Sequence, residues 1–425
     1  MTTGHNDRVV PRVSRQSVTL WALYDFGASI ASMAFLVYFS QWLVIDSKQS
    51  DLSYNLLYVY SSILLLISAP FTSVLIDKTR QKIYALRSLT LWQFGFLILC
   101  SCLASYFKMS KSLIIGIMIV YVLANYFHQF AMVFYNALLP NVAPAGAEGR
   151  VSGVGQAARW MGALVALALC VRLSAKPYSI LGHAGRSQTF LPATVLALIV
   201  TIPSLFLRIN VSAGNIKVDV LGELKAYKRY FATLVGTPGV KLFLIGFFLF
   251  NDAILTVQHN MAIYMAQVLH ISDRVKAGIF AGGMLTSAVG ALVGGWISDR
   301  IGQKRCLLII LLLWSIFLPL LSMVSSITYF TILALCIGFF FGMTWSVTRS
   351  VMAYLAKSDE ISHAFAYYTL AERFATFIGP VSWGLIAGAF VGFGPMRYRL
   401  ALLAMGGFVV AGLLCCLRIP TDRKG

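Results

Sequence analysis

Two aspartates lie inside apolar stretches of membrane-spanning length, one in each half of this 425-residue chain. Asp25 falls within residues 21–43, and Asp252 falls within Val240–Val268. A carboxylate in hydrocarbon costs about 2.5–3.5 kcal/mol on insertion scales, so such a group usually faces a cavity, a partner or a pathway. A buried carboxylate there could also take up and release a proton. We expect Asp25 to lie near the start of its helix and Asp252 closer to mid-membrane depth.

Both aspartates have polar residues four and seven positions later, on the same helical face, which predicts a polar cavity.

The other intramembrane ionisable residues are Arg159, in the fifth apolar stretch, and the adjacent Glu372 and Arg373 in the eleventh. Neighbouring residues point about 100° apart on a helix, so Glu372 and Arg373 do not pair with each other. We expect instead an ion pair between Arg159 and Glu372 that opens when a solute carboxylate or ammonium replaces one partner. The alternative is a static structural pair. Further residues predicted to line the pathway are Gln156, Asn251, His128 and His259, although an intramembrane histidine can equally serve to hydrogen-bond a neighbouring helix.

Composition places these residues in a polytopic membrane protein. The chain is 59 % hydrophobic and 12 % charged, whereas a soluble domain carries about 25 % charged residues. Twelve stretches reach the roughly 20 apolar residues that a spanning helix needs. The net charge of +19 is concentrated in loops on one side, which predicts cytoplasmic N- and C-termini. No basic stripe with interleaved aromatic residues is present, so nucleic-acid binding is not expected.

The stretches divide into two sets of six. We predict a cytoplasmic tail at residues 1–18 and a six-helix bundle at 19–210. A cytoplasmic linker with an amphipathic helix follows at 211–238, and a second six-helix bundle with a short tail follows at 239–425. Glycines four residues apart predict close helix contacts; they are Gly278 and Gly282, Gly290 and Gly294, and Gly338 and Gly342.

The loops after the second and eighth stretches repeat a charge pattern, at residues 77–82 and 299–305. A carboxylate at such a helix end can cap a neighbouring helix or pair with a base across the bundles, which would hold one side of the protein closed. The alternative is that the charges only set the orientation of the helices in the membrane and that the glycine only forms the turn. The residues assigned to these gating loops are Asp77, Arg80, Asp299, Arg300, Gly302 and Lys304.

The second loop, Gly295-x-x-x-Asp299-Arg300-x-Gly302, resembles the loop signature of the major facilitator superfamily. The stretches at residues 21–25, 135–140, 150–153, 250–252, 346–350 and 372–380 are similar to one branch. That branch is the vacuole-effluxer or "unknown major facilitator" family, related to yeast autophagic amino-acid effluxers. Phe26 and Arg373 depart from the usual pattern of that branch. The resemblance implies an all-α membrane protein of twelve transmembrane helices in two six-helix bundles, the major facilitator fold.

We therefore expect a secondary active transporter that moves a small polar solute by alternating access, with coupling to H⁺. Amino acids are favoured by the resemblance only. The alternatives are a multidrug or lipophilic-compound exporter and, in another class, a non-transporting receptor or scaffold.

An enzyme is not expected, because the chain has no phosphate-binding glycine loop, metal-ligand cluster or nucleophile elbow. No cofactor is predicted; the expected partners are the solute, H⁺ and the lipid bilayer, around a monomer. A bacterial inner membrane is the expected location, with a vacuolar or other organelle membrane as the alternative.

Overall fold

Apolar segments separated by short polar turns form a chain of helices in the computed structural model. The structure describes residues 15–79, 82–107, 110–138, 142, 148–174, 182–207, 236, 239–355, 368 and 377–419. In the first half the helices are α1 (Arg15–Ala34), α2 (Asp51–Thr79), α3 (Lys82–Tyr106), α4 (Lys111–Ala137), α5 (Glu148–Ser174) and α6 (Phe190–Thr201). In the second half they are α7 (Val240–Val268), α8 (Asp273–Ile301), α9 (Gln303–Met323), α10 (Ile327–Leu355), α11 (Ile378–Ala389) and α12 (Met396–Leu417).

Within these ranges, eleven helical segments are long and apolar enough to cross a membrane, and α11 is a shorter apolar helix. The prediction of an all-helical, multi-pass integral membrane protein is confirmed. The residues of the predicted tail before Arg15 and almost all of the predicted linker lie outside the described ranges, so the amphipathic helix stays a prediction.

Each half is held together by close helix packing. Helix α1 packs against α5 and α6, and α7 packs against α12, while α8 lies along α10. A side chain at Gly162 of α5 would overlap the carbonyl oxygen of Phe26, so these two backbones are in direct contact. Between α8 and α10 the predicted close contacts are confirmed for the pairs at 290/294 and 338/342 and for Gly282. At Gly278 a side chain would meet nothing within 4 Å, so the prediction is wrong at that position.

Helix α1 widens into π-helical turns at Phe35–Phe39 and Trp42–Asp46 before it ends. Their aromatic residues pack into the first bundle, with the ring of Phe39 4.4 Å from that of Tyr121 and the ring of Trp42 5.9 Å from that of Phe190. Insertions of this kind concentrate at functional sites. Here they shape the end of α1 that faces the second bundle.

The helices alternate in direction, which defines two sides of the molecule. We call the side where α1 and α7 begin the near side, and the side where α2, α8 and α12 begin the far side. Among the described residues, contacts between the bundles lie toward the far side: Asn55 bonds to Asn260, and Gly384 packs onto Leu52.

Candidate solute pathway and inter-bundle contacts

Asp25 is a buried carboxylate with a cation beside it. Its Oδ1 atom lies 3.7 Å from Nε of Arg159, which α5 presents from the helix packed against α1. The Asp25 side chain is 4 % exposed, whereas that of Arg159 is 42 % exposed. One face of the guanidinium is therefore open to its surroundings while the carboxylate is enclosed. Glu372, the partner predicted for Arg159, lies outside the described residues together with Arg373, so the Arg159–Glu372 pair stays a prediction.

Aromatic residues enclose the helix turn that carries Asp25. The Trp21 indole donates to the carbonyl oxygen of Tyr135 at 3.2 Å, and its ring stacks on that of Tyr135 with centroids 4.5 Å apart. Tyr24 stacks on the same ring at 4.9 Å, and its hydroxyl is 3.0 Å from that of Thr90. Two of the stretches that carry the family resemblance, at residues 21–25 and 135–140, thus meet here through Trp21, Tyr24 and Tyr135.

Asp252 occupies the corresponding helix of the second bundle and is 2 % exposed. Its Oδ2 atom accepts a 2.6 Å hydrogen bond from the backbone N–H of Gly379, in the first turn of α11. The N–H groups of a first helical turn have no partner within the helix, so a carboxylate satisfies one of them and interacts favourably with the helix dipole. Exchange of the two bundles relates α1 to α7 and α5 to α11. The aspartate on the first helix of each bundle therefore contacts the fifth helix of the same bundle.

The described helices give the distance of each aspartate from the start of its helix. Helix α1 begins at Arg15 and α7 begins at Val240. By helical rise, Asp25 is about 15 Å and Asp252 about 18 Å from its helix start. Because α1 starts several residues before the apolar stretch does, its start does not mark the membrane boundary, and the expected difference in depth stays a prediction.

The polar residues that follow each aspartate have separate partners. Ser29 donates to the carbonyl oxygen of Asp25 at 2.6 Å, and Thr256 donates to that of Asp252 at 2.7 Å. These hydroxyls are bonded to the helix backbone and not to the carboxylates. One turn on, Ser32 lies 3.4 Å from Nε2 of His128 on α4.

His259 lies at the seam between the bundles. Its ring stacks on that of Tyr58 of α2, with centroids 4.1 Å apart, and its carbonyl oxygen accepts from the Tyr54 hydroxyl at 3.2 Å. The imidazole ring thus packs on a neighbouring helix, while the hydrogen bond from that helix goes to the backbone carbonyl, so both the pathway role and the hydrogen-bonding role of the imidazole stay predictions. Of the other predicted pathway residues, Asn251 is buried beside Asp252, and Gln156 is half-buried on the α5 face of Arg159.

A polar cluster between α2 and α4 is absent from the sequence prediction. The Ser61 hydroxyl accepts from the side-chain amides of Asn125 at 2.7 Å and Gln129 at 3.0 Å. About two helical turns further along α2, Ser68 accepts from the Tyr126 hydroxyl at 2.9 Å. The sequence did contain a pattern that indicates this cluster, namely two amides four residues apart on α4. Amides inside a membrane usually form hydrogen bonds to a neighbouring helix.

The near-side loop of the second bundle is bonded within that bundle. Gly302 has φ of +91° between α8 and α9, a conformation that favours glycine, and its N–H donates to the carbonyl oxygen of Ser298 at 3.0 Å. Nζ of Lys304 donates to the carbonyl oxygens of Leu417, at 3.2 Å, and Ile419, where α12 ends. Arg300 lies over the Trp296 ring at 3.7 Å. The side chains of Asp77 and Asp299, and the whole of Arg80, are outside the described part of the chain, so a gating role stays a prediction.

On the far side, Arg186 connects three helix ends. Its guanidinium binds Asp273 in a bidentate manner, with Nε 3.1 Å from Oδ2 and Nη2 3.3 Å from Oδ1, and its Nη1 is 2.5 Å from Oδ1 of Asp46. Lys276, fully buried, is 2.6 Å from Asp273 and also donates to Gln41. Arg186 and Gln41 belong to the first bundle, whereas Asp273 and Lys276 belong to the second. This network therefore joins the bundles.

A second polar contact between the bundles involves Asp51. Its Oδ2 atom accepts from the Tyr398 hydroxyl at 3.1 Å and lies 3.8 Å from Nη2 of Arg397. The amides of Asn55 and Asn260 also exchange two hydrogen bonds, at 3.0 and 2.8 Å. Asp51 and Arg397 gave no signal in the sequence, because charges at helix ends look like ordinary loop charges until the helix ends are brought together.

Comparison with known proteins agrees with this architecture. The family model described as Major Facilitator Superfamily matches residues 242–425. An uncharacterized protein of Aquifex aeolicus is 25 % identical over 422 residues, which cover 97 % of this chain and 99 % of that protein. Autophagy-related protein 22 of Candida glabrata is 26 % identical over 195 residues, covering 43 % of this chain and 35 % of that protein.

Among solved structures, a bacterial homologue of the human lysosomal transporter Spinster, in an inward-facing and unoccupied conformation, superimposes with a TM-score of 0.74. The sequences are 13 % identical, and the match covers 96 % of this chain and 98 % of that one. At this identity the likeness establishes the fold. Residues 242–425 are therefore similar in sequence to the Major Facilitator Superfamily, and the likeness of fold to a solved transporter extends over both bundles.

Proposed function

We propose that this protein is a secondary active transporter that moves a small polar solute, with amino acids favoured, by alternating access and in exchange or symport with H⁺. The observation that carries the proposal is the enclosed Asp25 carboxylate beside the partly exposed guanidinium of Arg159. A static structural ion pair in a membrane protein would be expected to bury both partners, because exposure weakens the attraction between them.

The exposed face of Arg159 suits a carboxylate ligand. A guanidinium presents planar, paired N–H donors that match the two oxygens of a carboxylate. A solute carboxylate bound there would weaken the attraction between Arg159 and Asp25, and an enclosed carboxylate that loses its cationic partner takes up a proton more readily. Solute binding and proton binding would then be linked through two residues 3.7 Å apart.

Asp252, Glu372 and His128 are further proposed proton or solute ligands. Asp252 is fixed through one oxygen by the N–H of Gly379, so its second oxygen is the one available for protonation. Glu372 remains the proposed partner of Arg159 in another state of the cycle. Amino acids as cargo are supported by the partial similarity to autophagy-related protein 22 and by the resemblance of the sequence to autophagic effluxers.

The contacts between the bundles support a state that is open toward the near side. Asn55 with Asn260 and Arg186 with Asp273 are both on the far side. We propose that the near side is cytoplasmic, in a bacterial inner membrane, in agreement with the basic loops of the sequence. The loops at 77–82 and 299–305 would then close the cytoplasmic side in the opposite state.

Flux through reconstituted vesicles tests the proposal. The purified protein would be assayed with a panel of radiolabelled amino acids, with and without an imposed pH gradient, and a lipophilic cation would be included as a competing cargo. We expect at least one amino acid to be transported and the gradient to accelerate its uptake. Transport of the lipophilic cation alone would favour an exporter, and no flux of any solute would favour a receptor or scaffold.

A further inference from the structure

Two ion pairs that join the bundles on the far side are related by the internal repeat. Exchange of the bundles relates α2 to α8 and α6 to α12. Asp51 is the first residue of α2, and Asp273 is the first residue of α8. Arg186 opens the turn that leads into α6, and Arg397 lies in the first turn of α12. Each pair therefore joins an aspartate from the second helix of one bundle to an arginine from the sixth helix of the other.

The two pairs have comparable environments. Arg186 and Asp273 form a bidentate pair with side-chain exposures of 20 % and 19 %. Arg397 and Asp51 are 3.8 Å apart with exposures of 21 % and 4 %, and Tyr398 bridges them by accepting from Arg397 at 2.8 Å and donating to Asp51 at 3.1 Å. No residue belongs to both pairs.

We propose that Arg186–Asp273 and Asp51–Arg397 are symmetry-related latches that hold the far side closed and set the equilibrium between the two states of the transporter. The inference rests on alternating access in the proposed function. When two rigid bundles rotate apart on the far side, both contacts must break, because every partner is fixed to a helix end of a different bundle. Partly exposed ion pairs are weak enough to break in each cycle.

The Arg186 latch is the stronger of the two. The buried Lys276, on the helix of Asp273, adds a second contact between the bundles by donating to Gln41 of the first bundle. Loss of Arg186 also leaves the carboxylates of Asp46 and Asp273 without the cation that binds both of them. Within the described ranges, the Asp51 latch has the Tyr398 bridge in addition to its ion pair. Loss of Arg186 is therefore expected to shift the equilibrium further than loss of Arg397.

Distances between spin labels on the two bundles test the inference. Labels at Lys111 and Tyr329, both exposed at the far-side starts of α4 and α10, would report opening as a longer distance, in a background without the seven native cysteines. We expect Arg397→Gln to raise the ratio of open to closed molecules about threefold and Arg186→Gln about fivefold. Because the pairs share no residue, the double variant should show about the product, near fifteenfold.

Arg399→Gln is the matched control. Arg399 is on the same helix as Arg397, but it bonds to Ser322 and Ser325 of its own bundle, at 2.6 and 2.9 Å. We expect it to leave the distance distribution unchanged, and the exchanged pair D51R/R397D to recover more of the closed population than either single charge reversal.

Two results would contradict the proposal that these ion pairs act as latches. Distance distributions for Arg186→Gln and Arg397→Gln that match the parent protein would show that the pairs hold nothing closed. An equal shift for Arg399→Gln would show general loosening. The distances require no solute, so they also separate this inference from the proposed function, whose failure would appear as absent flux in the parent protein.

Discussion

The backbone N–H of Gly379 donates a 2.6 Å hydrogen bond to Oδ2 of Asp252, which joins the first turn of α11 to the middle of α7. A side chain at position 379 would overlap the Thr256 hydroxyl and lie 3.0 Å from Oδ1 of Asp252. Any residue except proline could donate this hydrogen bond, but only glycine leaves enough space for the contact.

Gly379→Ala should destabilise the protein by about 1–3 kcal/mol, as overpacking in a close-packed site does. Thermal unfolding in detergent would measure the loss. Gly388→Ala, on the same helix but with nothing within 4 Å, is the control and should be neutral. Removal of the obstructing hydroxyl in the double variant G379A/T256A should recover part of the stability. A Gly379→Ala protein as stable as the control would contradict the close packing of α7 and α11.

Arg159→Gln should reduce amino-acid uptake at least tenfold, because it removes the proposed solute ligand and leaves the Asp25 carboxylate enclosed without its cation. Asp25→Asn should retain solute exchange but lose its response to a pH gradient. Initial rates in vesicles, with exchange and gradient-driven uptake measured separately, distinguish the two effects.

The partner of Arg159 can be identified in the same assay. If Asp25 is the functional partner of Arg159, the exchanged pair D25R/R159D should retain more uptake than either single charge reversal. Glu372→Gln should then not reproduce the loss of uptake that Arg159→Gln causes. If Glu372→Gln reproduces the Arg159→Gln defect while Asp25→Asn is nearly normal, the predicted Arg159–Glu372 pair is the relevant one.

Gly162→Ala should be among the most destabilising glycine substitutions in the chain. The new methyl group would overlap a backbone carbonyl, that of Phe26, which cannot move without a shift of α1 against α5. A loss of about 1–3 kcal/mol is expected by the same overpacking argument. Gly116→Ala on α4, with open space around it, should be neutral or slightly stabilising, because alanine favours helix more than glycine does. Thermal midpoints compared across the three proteins check the order.

Asn55→Leu should cost about 1–3 kcal/mol, since it leaves the buried Asn260 amide without its reciprocal partner. Asn55→Leu combined with Asn260→Leu should recover most of that loss, because two apolar side chains then face each other. The thermal midpoints of the parent, the two single variants and the double variant form a double-mutant cycle, which measures the coupling between the two amides. Equal, additive losses would argue against a direct amide pair between α2 and α7.

The repeat and the helices were predictable from sequence because each depends on local properties. A run of about 20 apolar residues must cross the membrane as a helix, whatever its neighbours are. Asp25 and Asp252 were conspicuous for the same reason, since a single acid in such a run needs a compensating environment wherever it lies. The loop at 299–305 needed a glycine because its backbone turns with positive φ at Gly302.

The partners of these residues were decided only by the tertiary structure. Asp25 faces Arg159 and Asp252 faces Gly379 because α5 and α11 pack against α1 and α7, and no spacing within one helix encodes which other helix lies beside it. The far-side latches are a stronger case. Asp51 and Arg397 are separated by almost the whole chain, and their charges have an inter-bundle role only because two helix ends meet across the seam. The sequence by itself thus determined a twofold-repeated, membrane-embedded helical protein with enclosed acids. Packing between helices decided which charges meet, because that depends on distances between segments that are far apart in the chain.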